Sequence, residues 1–123
     1  MSDRSRGSRI QKTAVAALEG IKARDITVLD VRKLTSLYNT LIIATAESSR
    51  QVKALSQHVR DALKAAGATI IGIEGEQTGE WVLVDAGDII VHIMQPAARA
   101  YYNLEELWMP LAPRRRSKAA AHA

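Results

Sequence analysis

Residues 80–93, EWVLVDAGDIIVHI, bring together side chains that are able to do chemistry. The segment holds three carboxylates, one imidazole and one of the two tryptophans of a chain that has no phenylalanine. Carboxylate and imidazole groups are suitable ligands for metal ions, so a metal site is one interpretation of this region. Its ligands would come from five residues: Glu74, Glu76, Asp85, Asp88 and His92.

A simpler interpretation assigns the same acids to turns. Asp85 and Asp88 border Ala86 and Gly87, and two central residues suit a tight β-hairpin in which Gly87 takes positive φ. No nucleophile-elbow serine accompanies His92, and the segment ATAESS lacks the glycines of a phosphate-binding loop. The acids are therefore interpreted as turn formers, and catalysis is not expected.

Alternation along the two strands that flank this turn decides which side chains share a face of the sheet. Trp81, Leu83, His92 and Met94 form a mixed face, which is either covered by a helix or presented to a partner. Tyrosine and tryptophan often dominate binding energy at interfaces, and four of the five aromatic residues follow position 80. The opposite, aliphatic set is the natural core side: Val82, Val84, Ile89, Val91 and Ile93.

Periodicity and turn residues place these strands among other elements. Ser-x-x-Gln capping boxes at Ser8 and Ser48 predict two helices, one ending near Arg24 and one at Gly67. Pro96 opens a short helix through Tyr101, and Asn103 caps one last turn. Five segments predict strands: DITVLDV, NTLIIATA, ATIIGIEG, EWVLVD and DIIVHIM.

The order α-β-β-α-β-β-β-α predicts a single α+β domain with helices packed on a mixed sheet of about five strands. Apolar residues on both faces of the first two strands indicate that the sheet is covered on both sides for part of its width. With 123 residues and no cysteine, the chain is long enough for one core and excludes disulfides and Cys-based zinc sites.

Positive charge is concentrated at the two ends of the chain. Residues 1–12 and 112–123 hold eight bases and one acid, whereas residues 13–111 hold nine bases and twelve acids. We predict a basic tail at residues 1–7, a domain at 8–111 and a basic, Ala-rich tail at 112–123. The tails are either solvated or contact RNA phosphates. Without a signal peptide or a membrane-spanning stretch, a soluble, cytoplasmic protein is expected.

Arg50 conflicts with the electrostatics of its predicted helix. It lies in the first turn, where the positive end of the helix dipole disfavours a cation. An acidic partner, Asp30 or Glu74, would compensate and make Arg50 structural. Alternatively, residues 48–50 hold an anion or an RNA phosphate.

Four segments, in this order and spacing, resemble the ribosomal silencing factor family, also called the Iojap-related proteins: DITVLDVRKL, IIATAESSRQV, IEGEQTGEWVLVDAGDIIVHIM and RAYYNLEELW. The resemblance covers residues 10–108, and its last two segments are the most specific. It implies a small α+β domain related to nucleotidyltransferases but without their catalytic acids. It also implies a translational repressor that has no cofactor and that is often dimeric when free.

The resemblance further implies a partner and a docking surface. Family members bind the large ribosomal subunit at its fourteenth ribosomal protein and block joining of the small subunit, silencing translation under nutrient limitation. Glu105 would pair with the basic ribosomal protein at the rim of the interface. Six residues of this chain are implied as partner-binding: Trp81, Tyr102 and Leu104 on the docking surface, with Trp81 and Tyr102 as its anchors, and His92, Met94 and Glu105 beside them.

The chain departs from the family pattern at Asn39, where aspartate is common, and at Ala46, where glycine is common. The basic tails are also expected to lie outside that pattern. Two alternatives to a repressor remain open. One is an RNA-binding adaptor that acts through the tails. The other is a divergent nucleotidyltransferase-like enzyme that uses a metal with Asp30, Glu74 and Asp88.

Overall fold

The structure is a computed structural model that describes residues 3–108 and 114–116 of the chain, with side chains for residues 7–108. The predicted α+β fold is confirmed, and the predicted order of helices and strands is observed. The chain continues into one further short helix and one further strand. In order, the elements are α1 (Asp3–Gly20), β1 (Arg24–Asp30), β2 (Thr40–Thr45), α2 (Ser49–Ala65), β3 (Gly72–Glu74), β4 (Trp81–Asp85), β5 (Ile89–Met94), α3 (Pro96–Tyr102), α4 (Leu104–Trp108) and β6 (Arg114–Arg116).

The strands form one mixed sheet in the order β3-β4-β5-β2-β1-β6. β2 and β5 run parallel, and the other neighbouring pairs are antiparallel. All five predicted strands are present. β6 was not predicted, because three consecutive arginines have neither apolar alternation nor β-branched side chains; its backbone pairs with β1 at the edge of the sheet.

Helix α1 differs from its prediction at both ends. It begins at Asp3, so Ser8 lies inside the helix and the predicted start there is wrong. A serine is tolerated within a helix at small cost, and the capping-box pattern alone does not stop a helix that continues upstream. The helix ends at Gly20, because Lys22 adopts left-handed geometry with φ 60 and turns the chain into β1.

Helix α2 begins and ends where the sequence predicts. The side chain of Ser48 accepts a hydrogen bond from the N–H of Gln51 at 3.1 Å. Gln51 also donates to the carbonyl of Ile21 at 3.0 Å, which ties the start of α2 to the turn after α1. At the other end, Gly67 follows the cap with φ 96.

The two faces of the sheet carry separate hydrophobic cores, as the covering of both sides predicts. α1 and α2 pack on one face with the aliphatic set of β4 and β5. On the other face, α3, α4 and the link between β1 and β2 cover a second core. Both central strands, β2 and β5, are therefore buried along their entire length. The buried residues of the second core are Leu29, Val31, Leu41, Ile43, Ile90 and Met94.

The turn between β4 and β5 lies one residue later than predicted. Asp85 pairs with Ile90, and the N–H of Ala86 donates to the carbonyl of Ile89 at 3.0 Å, so the two central residues are 87 and 88 instead of 86 and 87. The N–H of Asp88 bonds locally to the carbonyl of Ala86 at 3.2 Å, so Asp88 does not pair across the hairpin. The predicted conformation of Gly87 is confirmed, with φ 84 and its N–H donated to the Asp85 carboxylate at 2.9 Å.

Candidate functional site

Trp81 begins β4 on the face of the sheet that α3 and α4 cover. Its register partner on β5 is Met94, and Leu83 is paired with His92. The predicted mixed face is confirmed, because Trp81 and Leu83 both pack against the second core. The displacement of the turn by one residue does not affect this result, since alternation within each strand is a local property.

His92 accepts a hydrogen bond from the indole of Trp81 on the inner side of the sheet face. The Nε1–H of Trp81 donates to Nδ1 of His92 at 2.8 Å, so Nδ1 carries no proton and the imidazole is neutral. His92 is only 8% exposed, and its burial lowers the pKa of the imidazole to about 4. The interaction fixes the orientation of the indole where it meets solvent.

Three aromatic rings then continue from β4 onto α3. The rings of Trp81 and Tyr102 have centroids 4.7 Å apart, and Tyr101 meets Tyr102 edge-on at 5.0 Å. Trp81 is partly buried, whereas Tyr102 is 53% and Tyr101 82% exposed. We name Trp81, Tyr101 and Tyr102 the aromatic surface. Tyr101 was not among the predicted partner-binding residues, although its position next to Tyr102 in the motif is a usable signal.

A tight turn between α3 and α4 separates an exposed residue from a partly buried one. Asn103 adopts left-handed geometry with φ 48, and its N–H donates to the carbonyl of Arg99 at 2.9 Å. Tyr102 precedes the turn and faces solvent, whereas Leu104 follows it and packs on the second core. The predicted anchors Trp81 and Tyr102 thus meet at the surface, and Leu104 supports them from α4.

Arg99 fastens this helical pair to the sheet through a nearly buried network. Its Nε donates to Glu105 at 2.8 Å, and its Nη1 donates to the hydroxyl of Thr45 at 2.8 Å and the carbonyl of Asp25 at 2.5 Å. Nη2 donates to the hydroxyl of Thr27 at 3.1 Å. The side chains of Arg99 and Glu105 are 12% and 17% exposed. Arg99 was not predicted from the sequence, because three of its partners lie on or beside distant strands: Asp25, Thr27 and Thr45.

Two of the six predicted partner-binding side chains are buried, and a third is partly buried and bound within the molecule. Met94 is fully buried under α3 and His92 is nearly so. Glu105 is bound to Arg99 and Thr27, and its pairing with a ribosomal protein stays a prediction. Met94 and His92 are buried because they lie on the face of β5 that α3, α4 and Trp81 cover.

The predicted metal ligands do not converge. Within residues 7–108, no three His, Asp or Glu side chains form a group able to hold a metal ion. Asp30 and Glu74 lie on strands β1 and β3, which are four strand spacings or about 19 Å apart. Asp30 instead accepts from Arg32 at 2.6 Å, and this hydrogen bond lowers the pKa of its carboxyl.

Arg50 has none of its predicted acidic partners. It is exposed, and no ion pair in the described part of the chain joins it to Asp30 or Glu74. The first turn of α2 contains no acid either. The predicted structural pair is therefore wrong, because Asp30 is already engaged by Arg32.

The two departures from the family pattern are accommodated by the backbone. The main chain of Asn39 bonds to Asp88 at 2.7 Å and to Val31 at 2.9 Å, and its side chain is exposed. Ala46 is fully buried and is not among the residues with positive φ, so no glycine is required there. Neither departure alters the aromatic surface.

A helix that crosses a membrane must be long and apolar, and no helix in the described ranges meets that condition.

Known proteins resemble this chain in both sequence and structure. A family model described as "Ribosomal silencing factor during starvation" matches residues 4–122. Because this match extends through most of both terminal segments, the expectation that they lie outside the family pattern is wrong. The ribosomal silencing factor RsfS of Chromobacterium violaceum is 58% identical over 99 residues, which cover 80% of this chain and 81% of that protein.

A crystal structure of a Chromobacterium violaceum protein superposes with a TM-score of 0.82 at 53% identity, covering 92% of this chain and 94% of that one. A mouse protein named "Mitochondrial assembly of ribosomal large subunit protein 1" is 31% identical over 97 residues, which cover 76% of this chain and 42% of that protein. The family's name describes a ribosome-associated role in silencing translation, which is regulatory. On sequence and on structure, the chain belongs to the ribosomal silencing factor family.

Proposed function

We propose that this protein binds the large ribosomal subunit in the cytoplasm and sterically blocks joining of the small subunit. The observation that carries the proposal is the contact between Trp81 and Tyr102 at the surface, with Tyr102 53% exposed. Folding leaves these rings accessible although the rest of the second core is covered. Family membership supports the ribosome as the target, and the name of the mouse relative supports the large subunit.

The charge around the aromatic surface favours a basic partner. Glu80 is exposed next to Trp81 and Glu106 is exposed on α4, whereas Arg99, the one basic residue of 72–108, is bound internally to Glu105. Exposed acids around apolar rings complement a protein surface that is rich in lysine and arginine. We assign this contact to the fourteenth protein of the large subunit, on the family resemblance.

Of the six predicted residues, two then contact the partner and four position those two. Trp81 and Tyr102 contact the partner as rigid, amphipathic anchors. His92 orients the indole through its hydrogen bond, and Met94 forms the floor beneath it. The last two, Leu104 and Glu105, hold α4 against the sheet.

Sedimentation of separated ribosomal subunits tests the proposal. We expect Trp81→Ala with Tyr102→Ala to lower affinity for the large subunit by at least about 30-fold, since a central anchor contributes about 2 kcal/mol or more. The same variant should no longer prevent subunit joining. Ile71→Ala is the matched control, because Ile71 is 66% exposed and bonds to Asp85, at the opposite end of β4 from Trp81.

A double variant that still co-sediments with the large subunit and still prevents joining would show that the aromatic surface is not the docking site. An Ile71→Ala variant with the same loss would show that any exposed apolar residue matters equally.

A further inference from the structure

Helix α2 carries a second surface with a different chemistry. Basic residues recur at positions 50, 53, 60 and 64, and at 100° per residue they fall within an arc of about 80°. This spacing places them along one side of the helix, with Gln57 between them. We name this set the basic stripe: Arg50, Lys53, Arg60 and Lys64.

The basic stripe lies on the flank of α2 that faces away from α1. Contacts with α1 and the turn after it are made by Gln51, which donates to Ile21, and by His58, whose Nε2 would lie 3.7 Å from a Cβ at Gly20. Both residues are on the other side of the helical wheel from the stripe. The buried residues of α2 face the sheet, so the stripe is open to solvent.

The charges of the basic stripe are mostly uncompensated. Arg50, Lys53 and Lys64 are exposed and take part in no ion pair within the described ranges, whereas Arg60 pairs with its neighbour Asp61 at 3.1 Å. Arg50 also remains at the unfavourable end of the helix dipole, and the first turn of α2 contains no acid. A local electrostatic conflict that folding leaves uncorrected is a recognised sign of a functional site.

We propose that the basic stripe of α2 binds the phosphate backbone of RNA, as a surface separate from the aromatic surface. The stripe is about 21 Å long at 1.5 Å per residue. A nucleic-acid strand presents a phosphate about every 3.4 Å of duplex axis, so four cations span several phosphates. A basic stripe along a helix is the expected electrostatic footprint of such binding. The exposed residues of α2 include no large apolar side chain, which membrane-surface helices require.

The position of the basic stripe allows one composite partner to reach both surfaces. A Cβ at Gly79 would lie 2.6 Å from Cβ of Ser49, so the start of α2 touches the loop that leads into Trp81. Arg50 therefore lies at the same end of the sheet as the aromatic surface, with α2 on the opposite face. A ribosomal protein would contact the aromatic surface, and adjacent ribosomal RNA would contact the basic stripe. The choice of ribosomal RNA rests on the proposed function.

The salt dependence of binding tests the stripe. Affinity for purified large subunits would be measured over a series of KCl concentrations for the wild type and for Lys53→Gln with Lys64→Gln. Loss of two phosphate contacts should weaken binding and make the slope of log affinity against log salt shallower by about 1.5. The matched control is Lys12→Gln with Lys33→Gln, which removes two exposed lysines from other elements and should leave the slope unchanged. Thermal unfolding of both variants establishes that they are folded.

Equal effects of the two pairs, or no effect of the stripe pair, would overturn the proposal. A 20-base-pair RNA hairpin serves as a second probe, and the stripe variant should bind it more weakly than the control does. If hairpin binding is unchanged while large-subunit binding weakens, the stripe contacts an acidic protein and the proposal fails. If the wild type binds no large subunit, the proposed function fails, and the hairpin measurement alone decides whether the stripe binds RNA.

Discussion

Among single residues, His92 shows how a buried titratable group stabilises an exposed one. Its Nδ1 accepts the indole N–H of Trp81 at 2.8 Å, and its ring lies 5.6 Å from the indole ring. A protonated imidazole cannot accept that bond, since both ring nitrogens are then donors. The geometry of Trp81 therefore depends on His92 staying neutral.

The acid stability of the protein should reflect this residue. Burial lowers the pKa of His92 from 6.5 to about 4, so between these values the unfolded chain binds a proton that the native state excludes. The free energy of unfolding should therefore fall as pH decreases from about 6.5 to 4, by up to about 3 kcal/mol from this group. Urea unfolding between pH 7 and 4 measures the dependence.

His92→Asn is the informative variant, because its side-chain oxygen is still able to accept from Trp81 and does not titrate. Its stability should change less with pH over this range than that of the wild type. His58→Asn, at an exposed position, should behave like the wild type. If His92→Asn loses stability toward pH 4 as steeply as the wild type, another group is responsible.

On the scale of elements, α3 and α4 are held over the second core by a polar network as well as by apolar packing. Arg99 on α3 connects to Glu105 on α4, to Thr27 in the middle of β1 and to Thr45 at the end of β2. Because the network is nearly closed to solvent, its loss leaves charges and donors without partners. Tyr102 lies between Arg99 and Glu105 in the chain, so its position depends on this network.

We expect Glu105→Gln to destabilise the protein by about 2 kcal/mol, because it leaves the guanidinium of Arg99 in a nearly buried site without its counter-charge. Glu106→Gln, an exposed neighbour with the same change in charge, should alter the free energy of unfolding by less than about 0.5 kcal/mol. Urea unfolding at pH 7 compares them. Normal stability of Glu105→Gln together with lost ribosome binding would restore Glu105 to the partner contact first predicted.

On the scale of the whole molecule, the edge of the sheet bears on self-association. β6 pairs with β1 from Leu29 to Thr27 and covers backbone groups that would otherwise be free to pair. Open strand edges favour association between copies of a chain. The homodimer expected for the free protein stays a prediction, and β6 limits one route to it.

Deletion of residues 112–123 should increase self-association, because it removes β6 and opens the β1 edge. Deletion of residues 117–123 alone keeps β6 and is the control. Sedimentation velocity over a range of concentrations distinguishes the two. Identical behaviour of both truncations would show that β6 does not protect this edge. Both should still bind the large subunit, whereas an RNA-binding adaptor that acts through its C-terminal tail would lose binding.

Much of the fold was predictable because it follows from local geometry. Side chains alternate along a strand regardless of what the strand pairs with, so the separation of Trp81 and Leu83 from Val82 was readable in advance. Caps are equally local: Ser48 and Gly67 act within one turn of their own helix. The position of the hairpin turn was less predictable, because it depends on which residues bond across the strands: Ala86 bonds to Ile89, so the turn lies one residue later than expected.

Partnership and burial required the tertiary structure. Asp25, Thr27 and Thr45, which bind Arg99, lie 54 to 74 residues away in sequence, so no periodicity links them to it. Glu105 is partly buried because α4 packs near β1, where it accepts from Thr27. The basic stripe was partly evident from the sequence and partly only from the tertiary structure. Its spacing on α2 was present in the amino-acid order, but only the packed molecule shows that the stripe faces solvent and that Arg50 lacks an acid partner. Spacing is a property of the backbone, whereas exposure and pairing depend on which elements pack together.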